Sequence, residues 1–285
     1  MDPTRAWREQ NRRSWNAATA VHNARKGDQA AWLRAGHSTL FPEERALLGD
    51  LTGLRVAHLC CNSGQDTLGL AQLGADALGV DISDEAIRFA TALSRDAGLP
   101  ARFLRADVLD WLDDDPGGWD VIFFSYGALG WLPDLARVLR GVASRLAPGG
   151  RLVVQEFHPI VWSIGPEGRF ADAYFLDGPL HDPTGVSDYV GRSGDGLTPM
   201  GHVEGGAWEN PEACVAFQWT VADLVQGVAD AGLRVEILRE QPWANGCSLV
   251  PGMTMDAERR WHLAEGLPKL PLMVGLVARR PGSPR

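Results

Sequence analysis

Three short stretches place residues that could grip a small polar ligand at the ends of consecutive strand-like runs. The first, Cys60-Cys61-Asn62-Ser63-Gly64-Gln65-Asp66, follows the run Val56-Ala57-His58-Leu59 and leads into a helical pattern. A turn entering a helix offers free backbone N–H groups, which receive an anionic group. Gly64 and Asn62 tolerate the left-handed region, whereas Cys60 is expected at ordinary φ. Asp81 ends the second run, ALGVD, where a carboxylate accepts hydrogen bonds from ribose hydroxyls. Asp107 and Val108 end the third, pairing a carboxylate for an adenine amino group with an apolar flank for its ring. Together these sites describe a nucleoside with a carboxylate-bearing arm. The G-x-G-x-x-G that brings backbone against a pyrophosphate is absent, as is the P-loop, which disfavours NAD, FAD and nucleoside triphosphates.

The elements that must position these residues alternate between strand and helix. After VAHLC (56–60) come a helix over about 65–73, the strand ALGVD (77–81), and a helix capped by Ser83 and ended by Gly98. Its expected buried stripe is Ala86, Ala90, Leu93 and Ala97. ARFLRAD (101–107) and DVIFFS (120–125) read as strands. Asp134 caps a further helix that Pro148-Gly149-Gly150 stops, and RLVVQEF (151–157) is a fifth strand. Strands joined by helices require right-handed crossovers, hence an α/β doubly wound, mostly parallel sheet. Residues 158–219 break that rhythm with many Gly, Pro and aromatic residues, so they are expected to form a functional insertion. A helix capped by Thr220 and the strands RVEILRE (234–240) and LMVGLVA (272–278) complete the sheet with an antiparallel edge.

Composition narrows the partners. The formal net charge is −9, and no long stretch is strongly basic, which disfavours nucleic acid. Apolar runs are too short for a membrane helix, and the N-terminus lacks a signal-like apolar region, so a cytoplasmic location without membrane contact is expected. The four cysteines lack metal-ligand spacing and are expected as reduced thiols with no metal bound.

VAHLCCNSGQDTLGLAQLGA, ALGVDIS, FLRADVLD and LAPGGRLVVQEF together resemble the motifs of the class I S-adenosylmethionine-dependent methyltransferases of small-molecule type. The chain departs from the usual first motif: His58 stands where an acid is common, and Cys60 and Asn62 replace two glycines. The resemblance implies a seven-stranded Rossmann-like sheet and S-adenosyl-L-methionine as cofactor, with S-adenosyl-L-homocysteine as product. It implies backbone from Cys60 and Cys61 through Asn62 and Ser63 to Gly64 against the methionine carboxylate and amine, and Asp81 at the ribose. It further implies Ile82 and Val108 on the adenine faces, Asp107 at its amino group, and Ser125 beneath the methyl donor.

His158, directly after the fifth strand, is the candidate general base, the alternative being a structural or substrate-orienting role. Tyr126, Trp131, Trp208 and Trp219 are candidates for the substrate pocket, against a packing role for each of the tryptophans. The expected organisation is an N-terminal helical lid (1–49), a cofactor-binding core (50–157), a substrate-binding insertion (158–219) and a C-terminal completion of the sheet (220–285). Two readings follow. One is a methyltransferase acting at oxygen or nitrogen of a small aromatic or heteroaromatic metabolite, as in secondary metabolism, and working as a monomer or homodimer. The other is a non-catalytic nucleoside-binding or protein-interaction module on the same fold.

Overall fold

The computed structural model describes residues 4–165 and 168–282. Three helices come first, α1 (Arg5–Ala24), α2 (Gln29–Arg34) and α3 (Pro42–Leu48). The alternating region then runs β1 (Arg55–Leu59), α4 (Gln65–Gln72), β2 (Asp76–Asp81), α5 (Asp84–Ala97), β3 (Arg102–Arg105), α6 (Val108–Asp114), β4 (Trp119–Phe124), α7 (Leu135–Arg145) and β5 (Leu146–Phe157). The insertion carries β6 (Leu180–Asp182), α8 (Tyr189–Ser193) and β7 (Cys214–Ala216). The chain closes with α9 (Val221–Asp230), β8 (Arg234–Gln241), β9 (Ala244–Asn245), β10 (Thr254–Met255), β11 (Arg260–His262) and β12 (Met273–Arg279).

Seven strands form one sheet in the order β3-β2-β1-β4-β5-β12-β8. The pairs from β3 to β5 are parallel, while β12 runs antiparallel to both β5 and β8. The doubly wound, mostly parallel sheet expected from the sequence is therefore present. Its central strands are buried on both faces, which is why they read as unbroken apolar runs. On one face Leu59, Phe124 and Val154 pack against α6, α7 and α9 through Leu109, Val138, Leu139 and Val228. On the other, Val56, Val121, Phe123 and Val153 meet α3 and α4 through Leu47, Leu48 and Leu70. Each fully buried leucine contributes roughly 1.5–3 kcal/mol. In α5 the Ser83 hydroxyl accepts from Ala86 N, Gly98 ends the helix at φ 67°, and the buried stripe is Ala86, Ala90, Leu93 and Ala97.

Strand order reverses between β1 and β4, which opens a crevice at the carboxyl ends of those strands. The helix α1 lies across that end. Its Arg8 reaches Asp107 after β3, Asn16 accepts from the Ser83 hydroxyl after β2 (2.7 Å), and Asn23 donates to the Ser63 hydroxyl after β1 (2.8 Å). The segment expected as one lid thus divides, since α3 packs under the sheet instead. Its Leu47 and Leu48 are large apolar residues that need burial, and the sheet face offers it.

The insertion is tied to α1 by buried polar contacts. The Asn11 side chain both donates to Val215 O (2.8 Å) and accepts from Val215 N (2.7 Å), which completes a backbone pairing on β7. The Ser14 hydroxyl donates to Glu212 O (2.9 Å) and accepts from Val186 N (3.0 Å). The Ser14→Ala substitution leaves that buried amide unpaired, at an expected loss of about 1–3 kcal/mol. Faster amide hydrogen exchange around Val186, with the sheet unaffected, is the expected outcome; unchanged exchange contradicts the role given to Ser14.

Candidate functional site

The loop after β1 is built on left-handed backbone. Gly64 has φ 80°, and a Cβ there would lie 2.6 Å from the Phe103 ring, so both conformation and space require glycine. Asn62 has φ 49°, as its side chain permits. Cys60 corrects the expectation of ordinary φ: it adopts 56°, because the turn needs the left-handed region there whatever the side chain. Cys61 lies buried beneath Gly79, whose absent Cβ leaves room for the Cys61 sulfur. Burial pushes both thiols well up, so they are neutral.

Asp81 fastens this loop. One carboxylate oxygen accepts from Asn62 N and the other from Ser83 N, both at 2.8 Å, joining the turn after β1 to the start of α5. Burial pushes its carboxyl up to about 6 even though backbone amides favour the charged form. Asp107 is likewise engaged: it caps α6 by accepting from Leu109 N (2.8 Å) and pairs with Arg8 at 2.7 Å. Arg8 on α1 was not anticipated from the sequence, because its partner lies far along the chain.

A single cavity of about 590 Å³ joins these groups. Cys60, Cys61, Asn62, Asp81, Ile82, Asp107, Val108 and Ser125 all line it, as do Tyr126, Trp131 and Trp219. Ser63 and Gly64 stand behind the wall, supporting the loop through Asn23 and Phe103. Trp208 does not line the cavity either; it packs against the buried cluster of Ala18, Val186 and Cys214, where the insertion meets α1. That location serves packing and corrects its assignment to the substrate pocket.

Beneath Ser125 lies a buried chain in which His58 Nε2 meets Ser125 Oγ at 3.0 Å and His58 Nδ1 meets Thr67 Oγ1 at 2.9 Å. Burial lowers the His58 imidazole to about 4, so it is neutral near pH 7 and serves as a hydrogen-bonding spacer. Glu156, at the end of β5, lines the cavity and accepts from the backbone of Gly127, Ala128 (2.9 Å), Leu129 (2.9 Å) and Phe157 (2.7 Å), fixing the loop that carries Tyr126. Burial raises its carboxyl above the ordinary value.

His158 turns away from the cavity. Its backbone N–H bonds Leu272 O, its Nδ1 accepts from Ile160 N (3.1 Å), and its Nε2 faces the Glu240 carboxylate at 3.1 Å. Both ring nitrogens are occupied, so the general-base expectation is replaced by a capping and pairing role. The strand β5 ends at Phe157 and His158 caps a 3-10 turn, which takes its ring out of line with the cavity wall.

The roof is aromatic. Trp15 of α1 meets Trp131 edge-on with centroids 5.2 Å apart, and His22 meets Tyr189 of α8 at 4.4 Å. Trp219 donates its indole N–H to Leu132 O (3.1 Å) and stacks on Phe217. Trp15, His22, Lys26, Phe157 and Tyr189 also line the cavity, yet nothing local in the sequence marks them, since each acts through contacts made in the folded chain.

Residues 56–150 match the family described as "Methyltransferase domain". The chain is 34% identical over 117 residues to a demethylmenaquinone methyltransferase of Lactococcus lactis subsp. lactis, covering 39% of this chain and 46% of that protein. It is 30% identical over 103 residues to a ubiquinone biosynthesis O-methyltransferase of Xanthomonas euvesicatoria pv. vesicatoria, covering 36% and 43%. The chain thus spans less than half the length of these curated relatives. Among solved structures, an S-adenosylmethionine-dependent methyltransferase from Mesorhizobium loti aligns with TM-score 0.56 at 23% identity, over 86% of this chain and 99% of that one. One from Methanosarcina mazei gives 0.54 at 18%, over 86% and 99%. These two show a shared fold.

The environment of Asp81 sets a pH dependence. Its unfolded carboxyl ionises near the ordinary 3.8 and the folded one near 6, so between these values the unfolded state binds fewer protons. Its contribution to the stability of the ligand-free protein therefore falls as pH rises through that window, by about 3 kcal/mol. Relative to wild type, Asp81→Asn is expected to gain about 2 kcal/mol of that amount between pH 4 and pH 6 in urea unfolding; a difference that stays flat with pH contradicts it.

Proposed function

We propose that this chain, whose residues 56–150 match a methyltransferase domain on a seven-stranded doubly wound fold, binds S-adenosyl-L-methionine in the cavity over β1, β2 and β4 and transfers its methyl group to oxygen or nitrogen of a small aromatic acceptor. The observation that carries this reading is one cavity wall that sets the left-handed turn at 60–64, the Asp81 carboxylate and the Asp107–Val108 pair in sequence, opposite an aromatic roof.

The residues present fit the cofactor. After accepting one amide each, both oxygens of Asp81 keep lone pairs for two further donors, which suits a ribose diol. Burial has raised its carboxyl, so hydroxyl donors would restore what desolvation takes from the charged form. Ile82 and Val108 supply apolar flanks for a purine, and Asp107, held by Arg8 and its helix, an acceptor at its edge. Bound there, S-adenosyl-L-methionine supplies a methyl group on a cationic sulfur with a neutral thioether as leaving group.

The chain's own residues then have two tasks. Aromatic faces and buried carboxylates at the cavity favour a cation. Tyr126, Phe157 and Trp162, which line the cavity near the Glu156-anchored loop, hold an aromatic acceptor by stacking and exclude water. Methyl transfer is an in-line displacement, so alignment of acceptor and donor supplies most of the acceleration. Relatives named for demethylmenaquinone and for ubiquinone biosynthesis support a quinone-type aromatic acceptor. The net charge of −9 opposes nucleic acid as acceptor. Among the described residues, no helix is long and apolar enough to cross a membrane.

Calorimetry tests the reading. Asp81→Ala is expected to weaken S-adenosyl-L-methionine at least tenfold; unchanged affinity removes the ribose assignment. His158→Ala is expected to keep the wild-type cofactor affinity and the same pH profile of turnover, with only stability reduced. A profile that loses one ionisation in that variant would return His158 to catalysis.

A further inference from the structure

His22 on α1 lines the cavity, is 2% exposed, and uses only one of its two ring nitrogens. Nε2 meets Ser187 O at 2.9 Å. A backbone carbonyl only accepts, so Nε2 carries the hydrogen of the neutral imidazole and Nδ1 keeps a lone pair. That Nδ1 is buried and has no hydrogen-bond partner among the described residues. A buried polar atom left unpaired costs about 1–3 kcal/mol. Tyr189 packs on the ring with centroids 4.4 Å apart and Trp15 meets it edge-on at 6.2 Å, which holds it in that orientation. Protonation does not settle the account, because burial lowers the imidazolium to about 4, with Ser187 O and Asp188 opposing the shift and Lys26 and Arg192 adding to it. Near pH 7 His22 therefore offers the cavity an acceptor lone pair and no ready place for a proton.

Its contacts separate His22 from the wall that fits the cofactor. Ser187 and Tyr189 belong to the insertion, and Trp15 leads on to Trp131, so the ring belongs to the roof. The next residue, Asn23, turns instead to Ser63 in the loop after β1. Among the described residues no hydrogen bond joins the His22 ring to that loop, to Asp81 or to Asp107. We propose that His22 Nδ1 accepts a hydrogen bond from a hydroxyl or N–H group on the aromatic acceptor, so that the cavity selects acceptors bearing such a donor over aprotic ones of the same shape. This rests on the aromatic-acceptor reading above. Tyr126, Phe157 and Trp162 grip an aromatic face whatever its substituents, so the choice among rings of one shape falls to His22. A donor on the ring pairs Nδ1, whereas an aprotic analogue leaves it buried and unmatched. A site of that kind rejects the analogue more strongly than an apolar pocket does.

The probes are 1-naphthol, which carries a hydroxyl, and 1-fluoronaphthalene, close to it in shape and without a donor, titrated by calorimetry into the protein saturated with S-adenosyl-L-homocysteine. Wild type is expected to bind the naphthol at least tenfold more tightly. That arm needs no variant, and equal affinities overturn the proposal. Two variants then divide the functions of the ring. His22→Gln keeps a donor for Ser187 O and loses the acceptor, so the preference is expected to fall to about twofold or less. His22→Asn carries an acceptor where Nδ1 stood and gives up Ser187, so most of the preference is expected to remain. Both should bind S-adenosyl-L-homocysteine as wild type does. An unchanged preference in His22→Gln overturns the proposal, and so does a preference lost equally in both variants, which marks the bond to Ser187 as its source. A matching loss of S-adenosyl-L-homocysteine affinity in His22→Gln also overturns it, assigning His22 to the cofactor. Wild type that binds S-adenosyl-L-homocysteine but neither naphthalene defeats the aromatic-acceptor reading itself, an outcome distinct from naphthol bound without regard to His22.

Discussion

A buried carboxylate at the seam of the sheet organises this molecule. Asp81 sits at the carboxyl end of β2 and takes one backbone amide from the turn after β1 and one from the entry to α5. Among the described residues no cation pairs with it, so neutral backbone amides, with those of Ser83, Asn62 and Ile82 favouring the charged form, are what oppose its desolvation, and its carboxyl remains raised. The left-handed turn at Cys60, Asn62 and Gly64 keeps its shape because this acceptor is there to receive the Asn62 amide. A ligand that donates hydroxyls to Asp81 therefore stabilises the charged form and the turn together, which couples occupancy of the cavity to order in its wall.

The roof depends on the same logic of satisfied polar groups. Asn11, Ser14, Asn23 and Arg25 all sit on or just after α1, and each bonds a group far away in sequence, so the helix and the insertion form one cover. Between these polar ties stand Trp15, Trp131 and Tyr189, large rings that exclude water without needing an exact partner. Glu156 repeats the device on the floor, gathering four backbone amides so that the loop bearing Tyr126 holds one conformation. Rigid floor and pinned roof are what an alignment-limited group transfer requires.

Features written in local pattern were legible in the sequence. The helix α5 announces itself through Ser83, its acidic first turn, a four-residue apolar stripe and Gly98. The central strands read as apolar runs because both faces are buried, and the acids closing β2 and β3 follow from the rule that loops at strand ends carry the ligand. What lay hidden was set by distance. Lys26, His22 and Tyr189 reach the cavity only after α1 and the insertion meet, and no spacing records that encounter. The helix α6 escapes the sequence pattern because Asp110, Asp113 and Asp114 interrupt its apolar residues, although Asp107 caps a buried stripe of Val108, Leu109, Trp111 and Leu112. Cys60 departs from the ordinary φ its residue type favours because the turn demands the left-handed region there. His158 leaves the cavity because β5 ends at Phe157 and a 3-10 turn follows at once.

The central claim, that the cavity over the strand ends holds an adenosyl group with an amino-acid tail, is tested most directly by a crystal structure of the protein grown with S-adenosyl-L-homocysteine. Electron density is expected with the ribose hydroxyls on Asp81 and the purine between Ile82 and Val108. An empty crevice at saturating ligand, or the adenosyl group bound elsewhere on the protein, contradicts it.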